Sequence, residues 1–227
     1  MRPEPLLRIG LAALACTTLL LGLSAQPAGA QTAGSGFLSD YARLGKAGPV
    51  RDRYLSYTDP ELTGRPIRTL CILPVRRFPA DARFDGVDDA LADDLLARAD
   101  AQLRARLGGR FKLTAAPEDA DATLQVALTA VIAQPEGKTA LDLVPLRLVT
   151  GPIKDKALGK ALEAAATLEL RLTVAGAARP WRESLYQISG KSIGRADDPR
   201  TRISVDALVP AIDRWAASLG EQIAAQP

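Results

Sequence analysis

The spacing of apolar residues changes along this chain, and each spacing predicts an element. Arg68–Val75 reads as a buried strand, and Pro74 places its end near a sheet edge. From Val87 the period lengthens. Val87, Leu91, Leu95, Ala99, Leu103 and Leu107 recur every four residues, with Leu96 beside them, which predicts an amphipathic helix with one face on a sheet. Asp85, followed three residues later by Asp88, is placed to cap its start, and Gly108-Gly109 to end it.

Beyond the glycines the period falls to two. Phe111–Leu113 predicts a short strand. Ala122–Ile132 alternates, with Leu124, Val126, Leu128, Ala130 and Ile132 on one face and Thr123, Gln125 and Thr129 on the other. Thr167–Val174 repeats this, with Leu168, Leu170, Leu172 and Val174 inward and Glu169 and Arg171 outward. Ala175–Pro180 turns the chain, and Trp181–Ser189 returns as an antiparallel partner. A last helix is expected from near Ser204, with Leu208, Ile212, Trp215, Leu219 and Ile223 as its buried stripe. Pro210 lies just inside it and is expected to limit or kink the first turn.

This order predicts an α+β two-layer sandwich: two helices on one face of a mostly antiparallel sheet, with an irregular N-terminal arm. The other face carries Thr, Gln, Glu and Arg, so it is expected to be solvated or used for contact. The arm is residues 31–66 and the α+β domain 67–227. Phe37, Leu38, Tyr41 and Leu44 stand at helical spacing as one docked turn of the arm. Tyr54, Leu55 and Tyr57 form a second contact, ended by Asp59-Pro60. Residues 133–164 form an apolar insertion containing Leu141, Leu143, Val144, Leu146, Leu148, Val149 and Ile153. A connection of that length is either functional or a flap over a sheet edge.

Ahead of the arm the pattern is neither helical nor alternating. Arg2 and Arg8 precede an apolar run from Ile9 to Leu23. Pro27 follows, then Ala28 and Ala30 at the −3 and −1 positions of a signal-peptidase site. Residues 1–30 therefore read as a secretory signal peptide cleaved before Gln31, and the chain as periplasmic. The run is shorter than the ~20 apolar residues a membrane span needs, so no span is expected in the mature chain. The alternative is an outer-membrane lipoprotein lipidated at Cys16, which follows Ala13-Leu14-Ala15.

Composition narrows the chemistry. Of 227 residues, 29 are basic and 26 acidic; loss of residues 1–30 removes two arginines and one glutamate, so no polyanion such as nucleic acid is implied as a partner. No histidine is present anywhere, which excludes Ser-His and Cys-His arrangements and the commonest zinc ligand. Cys71 is the one cysteine left after cleavage, so no intrachain disulfide forms, and its apolar surroundings predict a small buried hydrophobe.

Three candidate sites remain. Asp85, Asp88, Asp89, Asp93 and Asp94 crowd one helix start, where Asp89 and Asp93 share a face that a hard cation would accept; dipole compensation explains the same residues. Ser189 and Lys191 suggest a serine–lysine pair in a histidine-free hydrolase, against a plain solvated turn. Arg51, Arg53, Arg65, Arg68, Arg76, Arg77 and Arg83 suggest association with an anionic membrane surface, against pairing with neighbours such as Asp52, Asp59 and Asp81. No catalytic, cofactor or metal residues are assigned.

Ser35-Gly36-Phe37-Leu38-Ser39-Asp40-Tyr41, Tyr57-Thr58-Asp59-Pro60 and Leu124-Gln125-Val126-Ala127-Leu128-Thr129 together resemble the bacterial envelope family known as domain of unknown function 3313. The first stretch is the most specific. The resemblance implies an envelope location and no activity. Many relatives carry a lipid-anchoring cysteine close upstream of that stretch, whereas no cysteine lies between Gln31 and Ser35 here. The expected function is a non-enzymatic module that binds a partner or ligand through the polar sheet face, the arm or the insertion.

Overall fold

Alternating apolar residues need a second layer to cover them, and three long strands supply most of that demand. The computed structural model describes residues 34–47, 54–84, 86–137 and 159–224. Its strands are β1 (Gly45–Ala47), β2 (Tyr54–Thr58), β3 (Thr69–Ile72), β4 (Arg76–Arg77), β5 (Lys112–Thr114), β6 (Ala122–Pro135), β7 (Ala161–Val174) and β8 (Arg182–Arg195). The helices are α1 (Asp89–Gly108) and α2 (Val205–Ala224). The sheet runs β1-β2-β8-β7-β6-β3-β5, with β4 also on β6. The β1/β2, β2/β8, β8/β7 and β7/β6 pairs are antiparallel; β3 is parallel to both β5 and β6.

Both helices lie on one face. Leu95, Ala99, Leu103 and Leu107 of α1 and Leu208, Ile212, Trp215, Leu219 and Ile223 of α2 are buried against Leu124, Val126, Leu168, Leu170 and Leu172. Pro210 stands inside α2, which runs from Val205 to Ala224 without a break. The α1 cap is Asp88, whose carboxylate accepts from the Leu91 backbone N–H at 2.8 Å, so the helix begins later than the Asp85 reading has it. Asp85 lies outside the described residues.

The alternation of β6 breaks where the sequence pattern runs smoothly. Leu128 pairs with Leu168, but Ala130 pairs with Thr167, leaving Thr129 as an extra residue. One inserted residue inverts every later side chain. Val131, not Ala130 or Ile132, therefore joins the helix-side core, and Gln134 turns to the opposite face.

Two segments hold more regular structure than composition suggests. The arm contributes β1 and β2 to the sheet edge. Strands β6 and β7 reach Pro135 and begin at Ala161, so the connection between them is residues 136–160. Its apolar residues from Leu141 to Ile153 lie outside the described residues, as do Cys16, Ala28, Ala30 and Gln31. No described helix is long and apolar enough to cross a membrane.

Candidate functional site

The second face of the sheet was expected to be solvated or used for contact. It is used for contact around Glu169 and Glu183, where the arm lies on it. Glu169 is 2% exposed and Glu183 3%. Register puts Gln125, Arg171 and Glu183 in one row across β6, β7 and β8, and Ala127, Glu169 and Leu185 in the next. A buried carboxylate needs partners, because taking an ionised group out of water is expensive. The arm provides them.

Ser39 gives Glu183 its backbone N–H at 2.8 Å and its hydroxyl at 2.5 Å. Tyr41 donates its phenol to Glu169 Oε2 at 2.6 Å, and Ser35 donates its hydroxyl to the same oxygen at 2.9 Å. The Tyr41 oxygen also accepts from the backbone N–H groups of Gly36 and Leu38, both at 3.1 Å, which folds the segment around the phenol. Gly36 has φ +90°, a conformation that L side chains rarely adopt, so a glycine suits the bend.

Between the polar anchors, Phe37 and Leu38 pack on Ala127 and Leu185 as a second, small core. Two guanidinium groups lie over the Phe37 ring, Arg171 at 4.9 Å and Arg76 at 5.7 Å, and the ring meets Phe78 edge-on at 5.4 Å. Arg171 also lies 3.3 Å from Glu183. Burial pushes the Glu169 carboxyl up from its ordinary range, against the lowering effect of its hydrogen bonds and of Arg171. Burial, and then the hydrogen bond to Glu169, likewise raise the Tyr41 phenol.

The other sequence candidates resolve individually. Asp89 and Asp93 do share a cation, but it is the Arg77 guanidinium, 2.6 and 3.3 Å away, reached from β4. The hydrogen bond to Arg77 holds the Asp89 carboxyl below its usual value. Ser189 Oγ accepts from Gln134 Nε2 at 3.1 Å, and that amide also donates to Glu163 at 2.8 Å. Lys191 is exposed on the same strand. Cys71 is buried in β3, its thiol 3.7 Å from the Ala115 carbonyl, and burial raises its pKa, which disfavours the thiolate. Of the arginine group, Arg76 and Arg77 are engaged as described, and Arg51 and Arg53 lie outside the described residues.

Sequence reasoning placed Glu169 outward but missed its role and that of Glu183. The available signal was a pair of opposite charges, Glu169 and Arg171, two residues apart on the outward side of one strand.

A family model described as "Protein of unknown function (DUF3313)" matches residues 33–219. No curated protein matches the chain. Among solved structures, the PelC dodecamer from Paraburkholderia phytofirmans is 11% identical, covering 74% of this chain and 97% of that one, with a TM-score of 0.36. The hypothetical protein CT253 from Chlamydia trachomatis is 11% identical, covering 70% and 96%, with a TM-score of 0.43. A DUF4136 family protein from Bacteroides thetaiotaomicron is 13% identical, covering 77% and 96%, with a TM-score of 0.34. Scores at this level carry no functional inference.

Proposed function

This chain belongs to the DUF3313 family, and from that premise we propose that it is an exported, non-enzymatic envelope protein that binds a partner. The observation behind this reading is the latch itself. The charged groups at the centre of the second face, Glu169, Arg171 and Glu183, are engaged in holding the arm. The segment they hold, Ser35–Tyr41, begins a few residues after the Ala28-Gly29-Ala30 cleavage pattern, so the first part of the exported chain is tied to the middle of the sheet. With that face occupied, partner contact falls at the far end of the sheet. Lys191, Ser192, Gly194 and Arg195 are exposed there on β8, and the 136–160 connection joins β6 to β7 at the same end.

The test is site-specific photo-crosslinking in cells. A crosslinker at Lys191 is expected to trap a discrete envelope partner, while one at Asp94, on the exposed face of α1, is not. Removing residues 138–150 is expected to abolish the adduct. Equal trapping from both positions, or none, overturns the reading. A loss of the cellular phenotype in the Ser189→Ala, Lys191→Ala double variant would instead favour a hydrolase. Intact mass of the mature protein separates release after Ala30 from lipidation at Cys16.

A further inference from the structure

Arg182 opens β8 on the helix side of the sheet and is 4% exposed. A guanidinium that deep normally meets a carboxylate, because an uncompensated buried charge is strongly destabilising. Arg182 meets none among the described residues. Its Nε donates to Ser184 Oγ at 3.3 Å and its Nη2 to Gln222 Oε1 at 2.9 Å, both neutral. Nearby carboxylates are committed elsewhere: Asp59 lies 2.6 Å from Arg179 Nε, and Glu183 belongs to the opposite face, with Ser39 and Arg171. Among the described residues the bonds of the Arg182 guanidinium are those of Nε and Nη2, and none involves Nη1.

The groups around it are donors in excess of acceptors. Gln222 is oriented by its own bonds: Oε1 accepts from Arg182 and from the Tyr186 phenol at 2.8 Å, and Nε2 donates to Ser218 at 2.9 Å. Burial pushes the Tyr186 phenol up to about 12, so it stays a neutral donor. Ser184 spends its hydrogen on Ser56 Oγ at 3.0 Å, which leaves the Ser56 hydrogen free to donate. Thr58 is the cross-strand partner of Arg182 on the same face, and its hydroxyl is without a bond among the described residues.

We propose that Arg182, with the Ser56 and Thr58 hydroxyls, is a receptor for a small oxyanion at the junction of β2, β8 and α2. A planar guanidinium edge flanked by hydroxyl donors suits two oxygens of one carboxylate or phosphate group. The site stands independently of the partner reading above.

Thermal unfolding with inorganic phosphate, with citrate, and with chloride at matched ionic strength tests it. A ligand that binds only the folded state raises the midpoint in a saturable way. Phosphate, citrate or both are expected to raise it, chloride is not, and the better of the two identifies the oxyanion class. Arg182→Gln is expected to lose the response. Should that variant fail to fold, Thr58→Asp places a carboxylate opposite Arg182 and is expected to fold and to be insensitive to both anions. No saturable rise in the native protein, or a rise that persists in either variant, overturns the proposal.

Discussion

The Tyr41 phenol donates a 2.6 Å hydrogen bond to Glu169, 128 residues away, and so ties the arm to the centre of the sheet. The bond joins a half-buried phenol to a buried carboxylate, and Ser35 shares the same acceptor oxygen. Hydrogen bonds to charged groups contribute about 1.5–3 kcal/mol, more than neutral ones. Tyr41→Phe is therefore expected to lower stability by about 1–3 kcal/mol and, in the same protein, to increase hydrogen exchange at the Gly36 and Leu38 amides, which lose their acceptor. Unchanged exchange at those amides would show that the arm is held by Phe37 packing alone.

The folded protein is expected to gain stability from Glu169 as pH falls through that group's folded pKa toward 4.5. Glu169 is raised above its ordinary 4.5, so the folded state holds the proton more tightly than the unfolded chain does. That contribution is complete below pH 4.5, declines as pH rises through the folded value, and is flat above it. Tyr41, raised from 10.0, has the same sign at the alkaline end. Asp121 has the opposite sign. The backbone N–H groups of Thr69 and Arg68 lower it, so its contribution is lost in acid. The measurement is the stability difference between native protein and Glu169→Gln from pH 4 to 8. The native protein is expected to lose stability relative to the variant as pH rises, and a flat difference would remove Glu169 from the latch's pH response.

Gly190 is where α2 meets the sheet. A Cβ there would lie 2.2 Å from the Ala207 carbonyl oxygen and 3.2 Å from that of Ala164. Both contacts are backbone, so neither can swing aside. Gly190→Ala is expected to cost about 1–3 kcal/mol or more, by overpacking, and to lower the chemical-denaturation midpoint. Gly176, with nothing within 4 Å of its Cβ position, separates packing from conformation: its cost comes from φ +74° alone.

Asp88 rather than Asp85 caps α1. Asp88→Ala is expected to destabilise by about 1 kcal/mol, whereas Asp88→Asn keeps an acceptor for the Leu91 amide and costs less. Denaturant midpoints of the two variants distinguish a cap from a general charge effect.

Element types were legible because helical and strand periods are local. The stripe Leu95, Ala99, Leu103 and Leu107 and the inward set Leu168, Leu170, Leu172 and Val174 each bury as their spacing requires. The β6 bulge was not legible, because Thr129 continues a clean alternation in sequence, and its displacement appears only against Thr167 of the neighbouring strand. The latch was half legible. Ser35–Tyr41 was distinctive as a motif, and Phe37 and Tyr41 read as docked, but the acceptors Glu169 and Glu183 lie far along the chain.

The sequence by itself determined the α+β class, the helix faces and the exclusion of histidine chemistry, since these depend on composition and on spacing within a few residues. Tertiary structure decided which sheet face is covered, which aspartate caps, that Arg77 is the cation between Asp89 and Asp93, and that Arg182 meets neutral acceptors and no carboxylate among the described residues. Each of those depends on electrostatic and hydrogen-bond partners brought together across strands and helices, and periodicity along one chain carries no record of who stands opposite.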